Sequence, residues 1–297
     1  MSPDLIVLGN LLVDDIVFAD GRTRMGEAGG ATLYGAATAA LWRVPVGIAS
    51  LRGPEYPQPV LDALAARGVD LSGVRPLSSN LRTWLLYEGT RRRLVHHLDS
   101  PTHTQASPAP DGIPAAWREA RAFHVAPMPL PVQNDLARHL AGGPGLVSLD
   151  PHNPIENASL EEWRPVLAGT DVLWLGREEL ELGREDDPLP TLRSLACGRL
   201  RFILWKRGPQ GGWLYDVRAD RLRSWTPRTR AVVDPTGAGD AFAVGFVCGV
   251  LRGESTECAL ARAVVSASFA IEDWGAAALL RATPDSADAR LREWFPA

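Results

Sequence analysis

Short apolar runs alternate with longer segments of helical spacing along most of the chain, and this alternation restricts the fold more than any other feature. Helix candidates and buried strands of this kind, in alternation, favour a parallel sheet covered on both faces. The predicted fold class is therefore α/β, a three-layer sandwich with a mostly parallel central sheet. The strand-like runs are residues 5–8, 122–126, 146–149, 172–175 and 202–205, and the helix candidates are 57–67, 132–141, 160–168 and 188–197.

Two regions lack this alternation. Residues 12–18 and 83–98 carry β-type side chains, with a turn around Gly89-Thr90 and no helix between. They predict a small antiparallel β sheet, with its strands within 10–25 and 80–100. Such a sheet acts either as a lid over a pocket or as an ordinary edge meander. We expect residues 1–297 to form a single domain that carries this small sheet as an appendage.

Composition excludes several classes of partner. The net charge is -4 and basic residues are thinly spread, so nucleic acid is not an expected partner. Apolar stretches fall short of the roughly 20 residues that cross a bilayer, so no membrane association is expected. The three cysteines lack metal-binding spacing and suggest reduced, buried thiols, and Asp4 stands before the first apolar run where a leader would be basic. These features predict a cytoplasmic protein.

Residues 232–242, a strand end followed by small residues and an apolar helix, form the strongest chemical motif. Gly237, Ala238 and Gly239 leave backbone N–H groups unobstructed at a helix N-terminus, where free donors and the helix dipole favour phosphate. Asp240 follows directly. It is placed either to cap the helix or to accept a proton from a hydroxyl that attacks the phosphate.

The segment Asp234-Pro-Thr-Gly-Ala-Gly-Asp240-Ala-Phe resembles the C-terminal signature of the ribokinase-like (PfkB) carbohydrate kinases. The resemblance implies that Asp240 is the catalytic base and that Gly237, Ala238 and Gly239 form the anion hole for the transferred phosphoryl group. It further implies ATP and Mg²⁺ as cofactors, with Thr236 at the nucleotide site.

The N-terminal part resembles the same family. Gly29-Gly30-Ala31 before a small-residue helix is similar to its first signature, which implies that Gly29 and Gly30 let substrate approach the backbone. Asp14 resembles the acidic residue that binds substrate hydroxyls, and Asp15 is its rival. Tyr34 stands where many members carry Asn, so it stacks on a substrate ring or narrows the pocket.

Further motifs follow in the family's order. Leu175-Gly176-Arg177-Glu178-Glu179 resembles a motif near magnesium, which implies Glu179 as a metal residue, although Gly176 replaces the usual Asn. Lys206, Gly208 and Gly211 resemble the turn that borders the nucleotide. Residues 148–151 resemble an Asp-Pro segment, and the helix 259–270 resembles the wall of the adenine pocket.

The resemblance implies ATP-dependent phosphorylation of a hydroxyl on a small sugar or cyclic polyol. A nucleoside kinase of the same family is the alternative, and a catalytically degenerate ligand-binding sensor is another. A Rossmann dinucleotide enzyme is excluded because no Gly-x-Gly-x-x-Gly follows residues 5–8. The exposed lid sheet leaves open a homodimer paired through its edge strands.

Overall fold

The computed structural model describes residues 2–88, 91–156, 158–177, 180 and 187–296. Its strands are β1 (Leu5–Leu8), β2 (Leu12–Phe18), β3 (Thr23–Gly29), β4 (Val46–Arg52), β5 (Asp70–Pro76), β6 (Arg82–Glu88), β7 (Arg91–His96), β8 (Ala122–Val125), β9 (Leu146–Leu149), β10 (Val172–Leu175), β11 (Phe202–Lys206), β12 (Gly212–Asp216) and β13 (Arg221–Trp225). Its helices are α1 (Ala31–Leu41), α2 (Gln58–Ala66), α3 (His103–Ala106), α4 (Leu130–Leu140), α5 (Leu160–Ala168), α6 (Pro188–Leu195), α7 (Ala238–Leu251), α8 (Thr256–Ala270), α9 (Ala277–Arg281) and α10 (Pro284–Trp294).

The large sheet is mostly parallel. Within the described residues its order is β13-β12-β11-β10-β9-β8-β1-β4-β5. Pairing is parallel from β11 through to β5, and β12 and β13 add an antiparallel edge. Parallel strands place their carboxyl ends at one edge of the sheet, where ligands bind in open α/β folds. The predicted fold class is confirmed.

Hydrophobic cores lie on both faces of this sheet. In β1, Leu5 and Val7 belong to the core that includes α1, α7 and α8, whereas Ile6 and Leu8 belong to the core that includes α4 and α5. All four side chains are fully buried. A strand covered on both faces has no polar alternation, which explains why these runs are continuously apolar.

The smaller sheet has the order β3-β2-β6-β7. β2 pairs antiparallel with β3, β6 pairs antiparallel with β7, and β2 and β6 join the two hairpins in parallel. The predicted second sheet is thus confirmed, and it brings β2 and β7 over the carboxyl end of β1. The turn predicted at Gly89-Thr90 lies outside the described residues.

Some local expectations were incomplete. The strands β4, β5, β12 and β13 were not predicted. The Pro-rich stretch 101–114 contains α3 and buries Ala106 and Ile113, and Ile113 belongs to the core that includes α4 and α5. Cys248 is buried as expected, but Cys258 is exposed at the start of α8. In the described part of the chain, no helix is long and apolar enough to cross a membrane.

Candidate active site

The site is organised around the first turn of α7. Gly237 is the N-cap, with a left-handed φ of 75°, and Asp240 lies in the first helical turn. The rest of this helix is buried and consists largely of small and apolar residues. Backbone N–H groups at the start of a helix have no intrahelical acceptor, so this turn presents donors and the positive end of the helix dipole to an anion.

The Tyr34 ring packs against Gly237 in this turn. A Cβ atom added to Gly237 would lie 2.2 Å from the Tyr34 ring, so the ring occupies the space that any other residue would need. Tyr34 is 1% exposed, and burial, aided by the charges of Asp234 and Asp14, raises its pKa well above the usual value. Its phenol is therefore neutral and holds the glycine turn in place.

Asp234 fixes the loop before α7. One of its carboxylate oxygens accepts from the Thr236 amide (3.0 Å) and hydroxyl (2.6 Å), and the other accepts from the Gly275 amide (2.9 Å). Because the Thr236 proton goes to Asp234, the Tyr87 hydroxyl donates to Thr236 at 2.8 Å. Thr236 consequently faces the lid sheet and the acceptor side of α7.

Two cavities flank the N-terminal turn of α7. The first, of about 410 Å³, has Lys206, Gly208 and Gly239 at its polar end. Its walls are mainly apolar, and the aromatic rings of Trp225 and Phe242 stack there with centroids 4.4 Å apart. A polar end beside free N–H groups and a flat apolar body suit the phosphates and base of a nucleotide. Further apolar lining comes from Pro227, Val264, Ala267 and Ile271.

The second cavity lies between α7 and the lid sheet. It is lined by Asp14, Gly30 and Tyr34 and reaches Gly237 and Asp240. Asp240 lines this second cavity, whereas the preceding residues Ala238 and Gly239 line the first one, which is called the nucleotide cavity below. The second cavity is in the position of an acceptor site.

Asp14 projects from β2 into the acceptor cavity and is 3% exposed. Burial raises its pKa to about 7, with Arg92 acting in the opposite direction and Asp234 adding to the rise. One of its carboxylate oxygens, Oδ1, is buried without a hydrogen-bond partner in the described structure. An unpaired buried acceptor of this kind suits a substrate hydroxyl.

Gly29 and Gly30 make room for this arrangement. A Cβ atom at Gly29 would lie 1.7 Å from Asp14 Oδ2, and one at Gly30, with φ 98°, would lie 2.2 Å from the Asn10 carbonyl oxygen. Both glycines are therefore needed for close packing inside the protein. They let β2 and β3 hold Asp14 at the cavity.

The rival carboxylate, Asp15, is occupied by the lid. It accepts from Arg82 Nε (2.7 Å) and the Gly26 amide (2.8 Å), and His97 Nε2 lies 3.1 Å away. Although burial acts to raise its pKa, the hydrogen bonds with Arg82 and Gly26 lower it overall. Asp15 thus ties β2 to the lid and leaves Asp14 to face the cavity.

Histidine side chains close the far end of the acceptor cavity. His96, His103 and His152 line it, with ring centroids 5.4 Å apart for the first two and 4.6 Å for His103 and His152. Burial lowers the pKa of His103 to about 3 and also lowers the pKa values of His96 and His152. The three rings therefore form a neutral aromatic wall. The three residues come from separate segments, and although His152 directly follows the Asp-Pro segment 148–151, the sequence did not indicate the wall.

Asn10 fixes the orientation of His103. Its amide nitrogen donates to the Ala106 carbonyl (2.7 Å) and to Ser107 Oγ (3.2 Å), so its oxygen is free to accept. His103 Nε2 lies 2.9 Å from that oxygen and therefore carries the proton. His103 Nδ1 is then an acceptor, and it is buried without a partner in the described residues.

Asp240 has a perturbed carboxyl group. Burial and the nearby charge of Asp150 raise its pKa to about 6, while Lys206 and Arg92 act to lower it. A base with a pKa near 6 is ionised at neutral pH and still accepts a proton readily. Arg92, from β7 of the lid, also lines the acceptor cavity and was not identified as an active-site residue from the sequence.

The remaining predicted residues are placed as follows. Lys206 and Gly208 line the nucleotide cavity, as described above. Gly211, with φ 78°, forms the turn after Gly208, and a Cβ atom there would lie 2.1 Å from the Trp225 carbonyl oxygen. Glu179 lies outside the described residues. The described part of the chain contains no group of three or more His, Cys, Asp or Glu side chains that could hold a metal ion.

Comparison with known proteins adds to this geometry. The family model for pfkB family carbohydrate kinases matches residues 28–283. A cytidine kinase of Thermococcus kodakarensis is 28% identical over 280 residues, covering 92% of this chain and 97% of that protein.

Solved structures share the fold. The Burkholderia thailandensis nucleoside kinase in complex with inosine has a TM-score of 0.76 at 19% identity, covering 98% of this chain and 97% of that one. The Arabidopsis thaliana ribokinase complexed with ribose and ATP has a TM-score of 0.73 at 20% identity, covering 98% and 99% of the two chains.

Proposed function

Because the chain belongs to the pfkB family of carbohydrate kinases and is thus a kinase of the sugar and nucleoside type, we propose that it phosphorylates a nucleoside from ATP. The observation that carries this proposal is the position of Asp240. Asp240 lines the acceptor cavity at the start of α7, and its neighbour Gly239 lines the nucleotide cavity, so the two cavities flank the same helix turn.

The transfer needs a base and a preformed anion site. Asp240 takes the proton of the acceptor hydroxyl while the hydroxyl oxygen bonds to the γ-phosphorus of ATP. The bond from that phosphorus to the β,γ-bridging oxygen breaks, and ADP leaves with the electron pair. The N–H groups of Gly237 and Gly239 donate to the transferred phosphoryl oxygens, and Ala238 joins them by giving up its long, 3.4 Å hydrogen bond to the Pro235 carbonyl.

Mg²⁺ accompanies ATP in this proposal and supplies charge neutralisation on the phosphate oxygens. Mg²⁺ keeps several water ligands when it is bound through phosphates, so it does not require a cluster of protein carboxylates. Glu179 is the proposed residue near the ion. Lys206 and Gly208 border the phosphates, and Trp225 and Phe242 contact the adenine.

The acceptor is proposed to be a nucleoside because of the shape and chemistry of its cavity. Asp14 supplies a carboxylate for ribose hydroxyls, and beyond it His96, His103 and His152 supply a neutral aromatic wall. A planar base stacks on such a wall, whereas a monosaccharide leaves it uncovered. The Thermococcus relative named as a cytidine kinase supports the same choice. A small sugar or cyclic polyol is the second candidate. Asp14 supports it because a carboxylate can accept hydrogen bonds from the hydroxyl groups of any such molecule.

Two expectations from the sequence remain part of the proposal. The enzyme acts in the cytoplasm, and it forms a homodimer. The lid sheet leaves β3 and β7 at its edges, and these are the strands through which a second copy would pair.

ADP release from MgATP across cytidine, uridine, adenosine, inosine, ribose and myo-inositol tests the proposal. We expect nucleoside turnover, and Asp240→Asn should lower kcat by about 10²- to 10⁴-fold because the base is lost. The exposed carboxylate variant Asp135→Asn serves as the control and should be unaffected. Turnover of Asp240→Asn within tenfold of wild type would refute the role of Asp240. Binding of ATP without turnover of any acceptor would instead favour the sensor alternative.

A further inference from the structure

A buried ion pair lies beside the anion hole. Lys206 Nζ, at the end of β11, is 2.7 Å from Asp150 Oδ2, which follows β9. The Lys206 side chain is 15% exposed and that of Asp150 is 5% exposed. A Cβ atom on Gly239 would lie 3.4 Å from the same Nζ, so the ammonium group borders the first turn of α7.

This is an unfavourable place for a cation in the absence of an anion. The start of a helix carries the positive end of its dipole, and the N–H groups of Gly237 and Gly239 belong to the same turn, whereas the Ala238 N–H donates to the Pro235 carbonyl at 3.4 Å. A lysine that is mostly withdrawn from water also loses hydration. Asp150 offsets both costs. The arrangement becomes favourable when a phosphate oxygen enters, because the ammonium and the N–H groups then share one anion.

The protein fixes Asp150 from several sides. Its amide donates to the Val125 carbonyl (2.9 Å), and its own carbonyl accepts from the buried Gln133 amide (2.7 Å). The Lys206 ammonium lies 5.9 Å from the centroid of the Trp174 ring, so the lysine is also held against an aromatic face. A carboxylate on such a fixed backbone defines one position for its partner.

Trp174, Ser148 and His124 form an uncharged hydrogen-bonded group near the Asp150–Lys206 pair. Trp174 Nε1 donates to Ser148 Oγ at 2.8 Å, so the Ser148 proton is directed to His124 Nδ1 at 3.0 Å. Burial lowers the pKa of His124 to about 4, despite the opposing effect of Asp150. His124 is therefore uncharged, and Asp150 has Lys206 as its cationic neighbour at hydrogen-bond distance.

We propose that Asp150 is a positioning residue that holds the Lys206 ammonium at the anion hole, where Lys206 contacts the γ-phosphate of the bound nucleotide. This inference rests on the proposed function, and it assigns to the Asp-Pro segment a role in phosphoryl transfer. Asp150 acts through Lys206 and does not itself touch the substrate.

The same pair affects Asp240. Asp150 and Lys206 shift the pKa of Asp240 in opposite directions, so removing either one leaves the other uncompensated. The charged and titratable groups that act on or near Asp240 come from five parts of the fold. They are Asp14 in β2, Tyr34 in α1, Arg92 in β7, Asp150 after β9 and Lys206 in β11.

Two variants separate positioning from simple structural damage. Asp150→Asn should lower kcat/KM by about 10- to 100-fold. It should also move the acid limb of the pH profile, near pH 6 in wild type, down by about one unit, since a like charge is removed. Lys206→Met should move the limb up by a similar amount. In the double variant the two shifts should largely cancel.

Asp171→Asn is the matched control. Asp171 is a buried carboxylate paired with Arg199 at 2.7 Å, but it precedes β10 and lies at the opposite edge of the sheet. Its loss should lower stability without moving the acid limb. An unmoved limb in Asp150→Asn, or shifts of the same sign in Asp150→Asn and Lys206→Met, would overturn the inference.

Nucleotide binding provides a readout that does not need turnover. By calorimetry, both Asp150→Asn and Lys206→Met should weaken binding of a non-hydrolysable ATP analogue about tenfold and leave ADP binding nearly unchanged, because ADP lacks the γ-phosphate. Equal losses for ADP and the analogue would refute contact with the γ-phosphate. If the wild type binds the analogue but phosphorylates no acceptor, the proposed function fails. The contact between Lys206 and the γ-phosphate is then still tested by comparing the affinities of the variants for the analogue and for ADP.

Discussion

Gly237 and Gly239, two residues apart at the start of α7, should respond in opposite directions to substitution by alanine. Gly237 has a left-handed φ of 75°, and an added Cβ atom would lie 2.2 Å from the Tyr34 ring, which is 1% exposed and has little room to move. Gly239 lies inside the helix, and an added Cβ atom would meet only the end of the Lys206 side chain, at 3.4 Å. That distance is an ordinary van der Waals contact.

The expected magnitudes follow from these two environments. For Gly237→Ala, a left-handed conformation costs about 1–2 kcal/mol, and overpacking against Tyr34 costs about 1–3 kcal/mol. The free energy of unfolding should therefore fall by about 2–5 kcal/mol. For Gly239→Ala, replacing glycine within a helix should raise it by about 0.5–1 kcal/mol.

Urea denaturation of the two variants and the wild type measures both effects. The variants should differ from each other by about 3–6 kcal/mol, with wild type between them. A Tyr34→Ala background should recover part of the Gly237→Ala loss, since the ring that meets the new methyl group is gone. Equal stability of the two variants, or an undiminished loss in that background, would refute the proposed packing of Tyr34 under the turn.

Two further predictions concern the acceptor side. Asp14 has a folded-state pKa of about 7, above its unfolded value, so the protein loses stability as the pH rises through 7 and this buried carboxyl group ionises. The variant Asp14→Asn removes that cost. It should therefore raise the free energy of unfolding by roughly 2–4 kcal/mol at pH 8 and by much less at pH 5. An equal gain at both pH values in urea denaturation would contradict this, and exposed Asp135→Asn is the control. His103→Ala should raise KM for nucleosides at least about tenfold and leave any turnover of ribose unchanged, because only a base reaches the histidine wall. Exposed His139→Ala is its control, and parallel losses for both acceptor classes would count against base stacking.

Sequence reasoning predicted the parts of the molecule that local chemistry determines. The parallel sheet follows from continuous apolar runs such as Leu5–Leu8, and the anion turn follows from Gly237 to Asp240. Gly237 has a left-handed backbone conformation that residues with a side chain rarely adopt. The position is therefore recognisable in the sequence as a glycine.

The histidine wall could not be predicted in this way. His96 ends a lid strand, His103 begins a short helix in a stretch that reads as a surface loop, and His152 follows β9. Each is ordinary in its own segment. Only the tertiary fold brings the three rings into edge-to-face contact. It likewise brings together Asp150 and Lys206, which are 56 residues apart.

The reasons for individual residues also needed the structure. The sequence suggested that Gly29 and Gly30 let substrate approach the backbone, and Gly30 lines the acceptor cavity. The structure adds that a side chain at Gly29 would collide with Asp14 and one at Gly30 with the Asn10 carbonyl. Sequence likewise left Asp14 and Asp15 as rivals. Arg82, which binds Asp15, comes from a strand 67 residues away, and this pairing is what distinguishes the two carboxylates.

The hydrogen bond from Tyr87 to Thr236 joins the lid sheet to the loop that leads into the anion turn. Thr236 is in turn held by Asp234, so movement of β6 is transmitted to the start of α7 through two short contacts. We therefore expect an acceptor that pulls the lid sheet toward α7 to order the turn formed by Gly237 to Gly239 as well. If the proposed function holds, this coupling predicts that the acceptor binds before the site becomes competent with ATP, and that little ATP is hydrolysed while the acceptor cavity is empty.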